Sequence, residues 1–271
     1  GGGMKEAPVG VFDSGVGGLS VYRWIKELLP HERVIYLADT ARLPYGLKPQ
    51  AVVREFVIQI VGFLVDLGAK AVVIACNTAT AAGLEAASGR FSIPLVGMIG
   101  PGAREAVRAT RNRRVGLLAT EGTVRSGAYQ RAIRQLDPEV EVFARGCTPF
   151  TTLVEEGRTE GPEAEEVVRE QLAWFADKDI DTAILGCTHY PFLRSVISRV
   201  LGPSVTLVDP GRAVAEELAR LLRSQDLLNR GCETAPEDAF YTSGSPRRLQ
   251  EMVQLLLGLP APSVGQVSWP G

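Results

Sequence analysis

The chain has 271 residues, of which 45% are hydrophobic and 22% are charged, values that are typical of globular proteins. This composition excludes a disordered, fibrous or low-complexity protein, and a formal net charge of −2 provides no basic excess for binding nucleic acid. The longest apolar runs, such as Ala71–Ala75, are too short to cross a membrane, and no signal segment opens the chain. We therefore expect a soluble cytoplasmic protein with no membrane or nucleic-acid partner.

Short β-branched runs alternate with longer amphipathic segments along most of the chain. The predicted strands are Val9–Phe12, Val34–Leu37, Ala71–Ala75, Leu95–Val96, Arg114–Leu118, Val140–Phe143, Thr182–Leu185 and Val205–Val208. Between them, Val53, Val57 and Leu64 lie on one face of a helix predicted over residues 50–67, and another helix is predicted from Pro162. This alternation predicts parallel α/β sheets, whose ligands lie beyond the carboxyl ends of the strands.

Two segments recur along the chain in the same order. Residues 71–78, which contain Cys76, resemble residues 182–189, which contain Cys187, at an offset of 111. Residues 9–14 resemble residues 115–120 at an offset of 106. The paired repeats predict two homologous α/β units, each with one cysteine at a strand end.

Two loops after predicted strands carry glycine and polar residues. The segment Asp13-Ser-Gly-Val-Gly-Gly-Leu-Ser20 allows a close approach to backbone N–H groups, although it matches neither a dinucleotide nor a phosphate loop. Asp13 at the strand end favours a functional loop over a plain turn. The segment from Ala38 to Gly46 presents Tyr45 on a shaped loop, and taken alone it remains undecided between a functional loop and a simple connection.

Cys76 and Cys187 are each predicted to lie at a strand end just before a helix, where the helix N-terminus favours a reactive thiolate. A lone buried cysteine is usually inert, and we assign that role to Cys147 and Cys232, which lack such a context. His189 lies two residues beyond Cys187. Two thiols related by approximate two-fold symmetry could act on opposite faces of one carbon, as an acid and a base that invert its configuration.

The spacing of the cysteines and the small number of histidines argue against a metal or an organic cofactor. No two cysteines form a C-x-x-C pair, and the chain has only two histidines. We therefore predict that no metal is bound and no cofactor is used, and that the cysteines are free thiols.

Four ordered motifs, at residues 11–20, 38–46, 75–81 and 186–191, together resemble those of glutamate racemase. The resemblance runs from about residue 9 to about residue 212. It implies cofactor-independent interconversion of L- and D-glutamate for peptidoglycan synthesis, in a bacterial cytoplasm and by an expected homodimer. It also implies two pseudo-symmetric α/β domains with the active site in the cleft between them. The first domain would comprise residues 4–99 and 210–271, and the second residues 100–209.

The resemblance also implies roles for individual residues. Cys76 would handle the proton of D-glutamate and Cys187 that of L-glutamate, with Asp13 and His189 assisting and Glu155 orienting His189. The substrate-binding set would be Asp13, Ser14, Pro44, Tyr45, Gly46, Cys76, Asn77, Thr78, Thr120, Thr123, Cys187, Thr188 and His189. Ala38 and Ala119 stand where the family usually has glycine, and because alanine is also small, neither difference argues against the resemblance.

Three alternatives stay open from the sequence. An aspartate or related amino-acid racemase would use paired cysteines on the same scaffold. A two-lobed small-molecule binding protein would need no thiols, so replacing both cysteines by serine would leave its affinity intact. A protein-binding role in restraining gyrase is neither indicated nor excluded.

Overall fold

A computed structural model of the protein describes residues 2–231 and 236–270, and Cys232 lies outside the described residues. The strands are β1 Val9–Asp13, β2 Val34–Ala38, β3 Ala71–Ile74, β4 Leu95–Gly97, β5 Arg114–Ala119, β6 Glu141–Gly146, β7 Thr182–Leu185, β8 Thr206–Val208, β9 Ala239–Thr242 and β10 Val264–Gln266. The helices are α1 Gly2–Lys5, α2 Leu19–Leu28, α3 Gln50–Asp66, α4 Asn77–Arg90, α5 Ile99–Ala109, α6 Glu121–Ser126, α7 Ala128–Leu136, α8 Pro149–Glu155, α9 Pro162–Leu172, α10 Arg194–Leu201, α11 Pro210–Ser224 and α12 Pro246–Leu257.

The strands form two separate sheets. The first sheet has the order β10-β9-β2-β1-β3-β4 and the second has the order β6-β5-β7-β8. Every neighbouring pair is parallel, with Val9 opposite Val34 in the first sheet and Val115 opposite Thr182 in the second. The predicted α/β class with parallel sheets is confirmed.

Helices cover both faces of each sheet, which explains why the central strands are apolar throughout. In β1, Val11 faces a core layer shared with α2, α11 and α12, whereas the next residue, Phe12, faces the layer shared with α3 and α4. In the second sheet, Leu118 and Leu117 alternate in the same way between layers formed with α8–α10 and with α5 and α7.

The predicted helices agree with α3 and α9, but three strand predictions need correction. β6 extends to Gly146 rather than ending at Phe143, and β9 and β10 were not predicted as strands. Both missed strands lie at the edge of the first sheet beyond β2. β9 alternates between buried and half-buried residues and β10 has three residues, so neither carries the continuous apolar pattern of the central strands.

The domain division at residues 99/100 and 209/210 stays a prediction. The first sheet draws its strands from residues 9–97 and 239–266, and the second draws its strands from residues 114–208. Within residues 2–231 and 236–270, no helix has the length and apolar character needed to span a membrane.

Candidate active site

The predicted site residues lie where parallel strands end. Asp13 closes β1, Cys76 follows β3, Thr120 follows β5 and Cys187 follows β7. Because these ends belong to two sheets, the contacts between them decide whether they form one site. Side-chain hydrogen bonds connect the residues around one sheet with those around the other, among them Thr188 to Asp13, Thr78 to Thr123 and Tyr129 to Asn77.

Cys76 caps the N-terminus of α4. The N–H of Ala79 donates to its Sγ at 3.4 Å, and Sγ lies 3.8 Å from Oγ of Ser14, its hydrogen-bond partner in the β1 loop. The thiol is 6% exposed. Cys76 and Ser14, which are far apart in the sequence, are therefore brought together at the end of the first sheet.

Cys187 has a different setting. Its Sγ lies 3.8 Å from Nδ1 of His189, and both side chains are buried. A 3₁₀ helix over Tyr190–Leu193 follows, and it leads into α10 at Arg194. The structure thus places both cysteines between a strand and a helix, as predicted, although Cys76 directly precedes an α-helix and Cys187 precedes a 3₁₀ helix.

The Asp13 loop holds the Cys187 loop closely. Asp13 accepts hydrogen bonds from the N–H of Ser14 at 2.7 Å, the N–H of Gly18 at 2.6 Å and the hydroxyl of Thr188 at 3.1 Å. A Cβ placed on Gly17 would lie 2.5 Å from Nδ1 of His189, closer than side chains tolerate. Gly17 therefore permits a backbone approach that no other residue type could make without displacing His189.

Hydroxyl and amide side chains line the opposite part of the junction. Thr120 caps α6 and its Oγ1 accepts from the N–H of Thr123, whose own hydroxyl lies 3.3 Å from that of Thr78. Asn77 is buried, and its Oδ1 accepts a 2.5 Å hydrogen bond from the hydroxyl of Tyr129.

The loop after β2 brings Pro44, Tyr45 and Gly46 to the same junction. The Leu43–Pro44 peptide bond is cis, and Tyr45 is buried with its hydroxyl donating to Asp39. A Cβ on Gly46 would lie 3.7 Å from Cα of Gly122 in α6, so the backbones of the two sheets' loops meet here.

His189 is held as a cation. Burial lowers its pKa, but contacts with Cys187, Glu155 and Asp13 outweigh burial and raise the pKa to about 10. Oε1 of Glu155, at the end of α8, lies 3.5 Å from Nε2 of His189, within ion-pair distance. The contact with His189 in turn lowers the pKa of Glu155. The predicted link between Glu155 and His189 is therefore present as a spatial contact.

Cys76 has the opposite electrostatic surroundings. Burial raises the pKa of its thiol, and the nearby Asp13 carboxylate raises it further, against the smaller effects of the hydrogen bonds from Ala79 and Ser14. Burial also raises the pKa of Asp13, although His189 opposes this. Burial and the Asp13 carboxylate therefore oppose the Cys76 thiolate that the helix N-terminus was predicted to favour.

The position of Cys147 differs from the prediction that it does not lie between a strand and a helix. Because β6 extends to Gly146 and α8 begins at Pro149, Cys147 also lies between a strand and a helix. Its side chain is fully buried in the core beside Phe150 and its Sγ contacts the carbonyl of Arg145 at 3.7 Å. Cys76, Cys147 and Cys187 are all free thiols.

Among residues 2–231 and 236–270, no cluster of three or more His, Cys, Asp or Glu side chains is suited to holding a metal ion. Sequence reasoning missed two buried contributors, Tyr129 and Asp39, which hold Asn77 and Tyr45 in place. Asp39 lies within the motif at residues 38–46, whereas no sequence signal marks Tyr129.

Two parallel sheets covered by helices, with buried cysteines after β3 of the first sheet and β7 of the second, define an α/β protein whose strand-end loops meet at one junction. Residues 9–218 match the family described as Asp/Glu/Hydantoin racemase, and the chain belongs to this family. It is 44% identical over 244 residues to the glutamate racemase of Exiguobacterium sibiricum, covering 90% of each chain. It is 42% identical over 283 residues to that of Corynebacterium kroppenstedtii, covering 98% of this chain and 97% of the relative.

Solved structures agree with this assignment. A glutamate racemase of Bacillus anthracis superposes with a TM-score of 0.92 at 38% identity, covering 98% of this chain and 99% of that one. The Thermus thermophilus glutamate racemase, in complex with β-chloro-D-alanine, has a TM-score of 0.87 at 44% identity, covering 97% and 98%. An aspartate racemase of Picrophilus torridus shares the fold with a TM-score of 0.57 at 19% identity, covering 81% and 94%.

Proposed function

We propose that the protein interconverts L- and D-glutamate without a cofactor, with Cys76 and Cys187 as the two acid–base groups. The observation that carries this proposal is that the loop after β1 contacts both thiol-bearing loops: the Thr188 hydroxyl next to Cys187 donates to Asp13, and Cys76 Sγ lies 3.8 Å from Ser14 Oγ. The curated relatives of similar length are named glutamate racemases, which supports glutamate as the substrate.

Inversion needs a base on one face of the α-carbon and an acid on the other. Starting from L-glutamate, the Cys187 thiolate takes the α-proton and the C–H electron pair remains on the substrate as a carbanion. The Cys76 thiol then gives its proton to the opposite face, the electron pair forms the new C–H bond, and D-glutamate results. Starting from D-glutamate, the two cysteines exchange roles.

The neighbours of the thiols support this division. The imidazolium of His189, 3.8 Å from Cys187, stabilises a thiolate there, while the Asp13 carboxylate favours the protonated thiol at Cys76. We assign Asp13 and His189 to assisting the two proton transfers. Glu155 acts through His189, as a positioning residue.

We assign substrate binding to the hydroxyl, amide and backbone groups at the junction. Backbone N–H groups at the starts of α4 and α6 suit the two carboxylates of glutamate, and short polar side chains add further donors. These binding residues are Asp13, Ser14, Pro44, Tyr45, Gly46, Cys76, Asn77, Thr78, Thr120, Thr123, Cys187, Thr188 and His189.

The biological setting is part of the same proposal. D-Glutamate made by this enzyme would supply peptidoglycan synthesis in the cytoplasm, and the enzyme would act as a homodimer. Assaying aspartate beside glutamate tests the alternative substrate, since the aspartate racemases resemble this chain only in fold.

Single cysteine variants test the mechanism. Cys76→Ala and Cys187→Ala should each abolish racemisation, measured by the decay of optical rotation of L-glutamate. With a glutamate analogue that carries a β-leaving group, only proton abstraction is needed to start elimination. Cys76→Ala should then process the L form alone and Cys187→Ala the D form alone.

Cys147→Ala is the matched control, because this third thiol is buried but contacts only the core and a backbone carbonyl. It should retain racemisation. Loss of the same enantiomer in both active-site variants would contradict the assignment of faces, and full racemisation by either one would refute the two-thiol mechanism.

A further inference from the structure

A fully buried carboxylate lies behind the loop that carries Tyr45. Asp39, the residue after β2, is 0% exposed and accepts hydrogen bonds from four side chains. The donors are the Tyr45 hydroxyl, Arg42 Nε at 2.7 Å, the Ser243 hydroxyl at 2.6 Å and Trp269 Nε1 at 2.8 Å. A buried carboxylate is stable only when its oxygens are satisfied in this way.

Trp269 contributes more than its N–H donor. Its ring lies 4.7 Å from the guanidinium of Arg42, which also stacks at 4.0 Å over Phe56. The ring of Phe63 meets Trp269 edge-on at 5.7 Å. Arg42 is therefore fixed between two aromatic rings while it donates to Asp39.

These contacts act at one end of the 39–46 loop, and the other end faces the junction of the two sheets. Tyr45 donates a hydrogen bond to the same Asp39 carboxylate that accepts one from Trp269. Gly46 lies against Gly122 of α6. The polar and cation contacts of Trp269 are thus linked to the Tyr45 end of the loop through Asp39 and Arg42.

We propose that Trp269 is a positioning residue that fixes the 39–46 loop in the shape with which Tyr45 and Gly46 bind glutamate. The inference rests on the proposed function, because it assigns this loop to substrate binding. Trp269 acts through its Nε1–H on Asp39 Oδ1 and through its ring on Arg42.

Trp269→Phe tests this inference, because phenylalanine keeps an aromatic ring beside Arg42 but cannot donate a hydrogen bond. One lost hydrogen bond should raise KM for glutamate about three- to tenfold, with kcat within about twofold, because the loop binds ground state and transition state alike. Asp39→Asn should raise KM in the same direction, since it weakens the acceptor that Trp269 and Tyr45 share.

Trp174→Phe is the matched control. Its ring also lies edge-on to a phenylalanine, Phe175 at 5.1 Å, and under a cation, Lys178 at 4.7 Å, but it lies in the second unit and outside the predicted substrate loops. This variant should leave both kinetic constants within about twofold of the wild type.

The possible outcomes separate the two proposals. A raised KM in Trp269→Phe with kcat maintained and Trp174→Phe unchanged supports the inference. An active Trp269→Phe variant with an unchanged KM overturns the inference but not the proposed function. A fall in kcat at constant KM does the same, because a purely structural role lowers the fraction of folded enzyme and leaves KM unchanged. A wild-type protein that does not racemise glutamate overturns the proposed function and this inference with it.

Discussion

The ion pair between Glu155 and His189 makes a quantitative prediction about pH. Glu155→Gln keeps the shape of the side chain but removes the carboxylate that lies 3.5 Å from His189 Nε2. The positive charge of His189 depends on contacts that overcome burial and raise its pKa from 6.5 to about 10. Removing one of these contacts must lower that pKa.

The structure indicates the size of this effect. An opposite charge at this distance shifts a pKa by about 1–3 units, and the Glu155 side chain is 35% exposed, which favours the lower end of that range. A decrease of about one unit takes the His189 pKa from about 10 to about 9. The imidazolium fraction at pH 9.5 then falls about threefold, while at pH 7 it hardly changes.

The assay is kcat/KM for L-glutamate between pH 6 and pH 10.5, followed by optical rotation. Because the proposed mechanism requires the charged form of His189 beside Cys187, we expect the alkaline limb of the Glu155→Gln profile to move about one unit toward lower pH. Glu156→Gln is the control, since Glu156 pairs with Arg158 rather than with His189. Identical alkaline limbs for Glu155→Gln and the wild type would refute the reasoning.

The same interaction contributes to stability with a defined sign. The folded pKa of His189 is raised, so the stabilisation is fully present below pH 6.5 and is lost as pH rises through about 10. After a discount for the partial exposure of Glu155, Glu155→Gln should lower the free energy of unfolding by about 1 kcal/mol at pH 6. Urea denaturation should show that this difference disappears above pH 10.

Two further substitutions test how the site is held. Gly17→Ala should lower kcat at least about tenfold and the free energy of unfolding by about 1–3 kcal/mol, because its Cβ would lie 2.5 Å from His189 Nδ1. Gly89→Ala is the control, because nothing lies within 4 Å of a Cβ placed there, and it should preserve activity and stability. Equal effects of the two substitutions would contradict the argument. Tyr129→Phe removes the 2.5 Å hydrogen bond to Asn77 and should raise KM for glutamate about tenfold in steady-state kinetics, whereas an unchanged KM would show that Asn77 is held without it.

The sequence predicted the centre of the fold well because buried parallel strands are apolar on both faces. β1, β2 and β3 consist of buried residues throughout, so the hydrophobic pattern predicted their start correctly and their end to within one residue. β10 lacks this pattern, because an edge strand with little burial leaves no continuous apolar run. The role of Trp269 was missed for a different reason, because its contact with Asp39 connects residues far apart in the chain.

The candidate site was predictable as a set of strand ends, but its electrostatics were not. The repeat correctly relates Cys76 to Cys187, and a sequence can show that each follows a strand. The sequence cannot show that His189 contacts Glu155 or that Asp13 faces Cys76, because these pairs are fixed by packing between loops of the two units.

This packing gives the two related thiols different electrostatic surroundings. Cys187 lies beside His189, whose pKa is raised to about 10, whereas burial and the nearby Asp13 carboxylate raise the pKa of the Cys76 thiol. In the proposed mechanism, these surroundings suit Cys76 as the acid in the conversion of L-glutamate. In the reverse conversion Cys76 would be the base, and the Asp13 charge opposes its deprotonation. Protonation of Asp13, whose pKa is raised by burial, would remove that charge. The two-fold repeat of the backbone therefore places its two thiols beside groups of opposite charge. This difference comes from Asp13 and His189 rather than from the cysteines themselves.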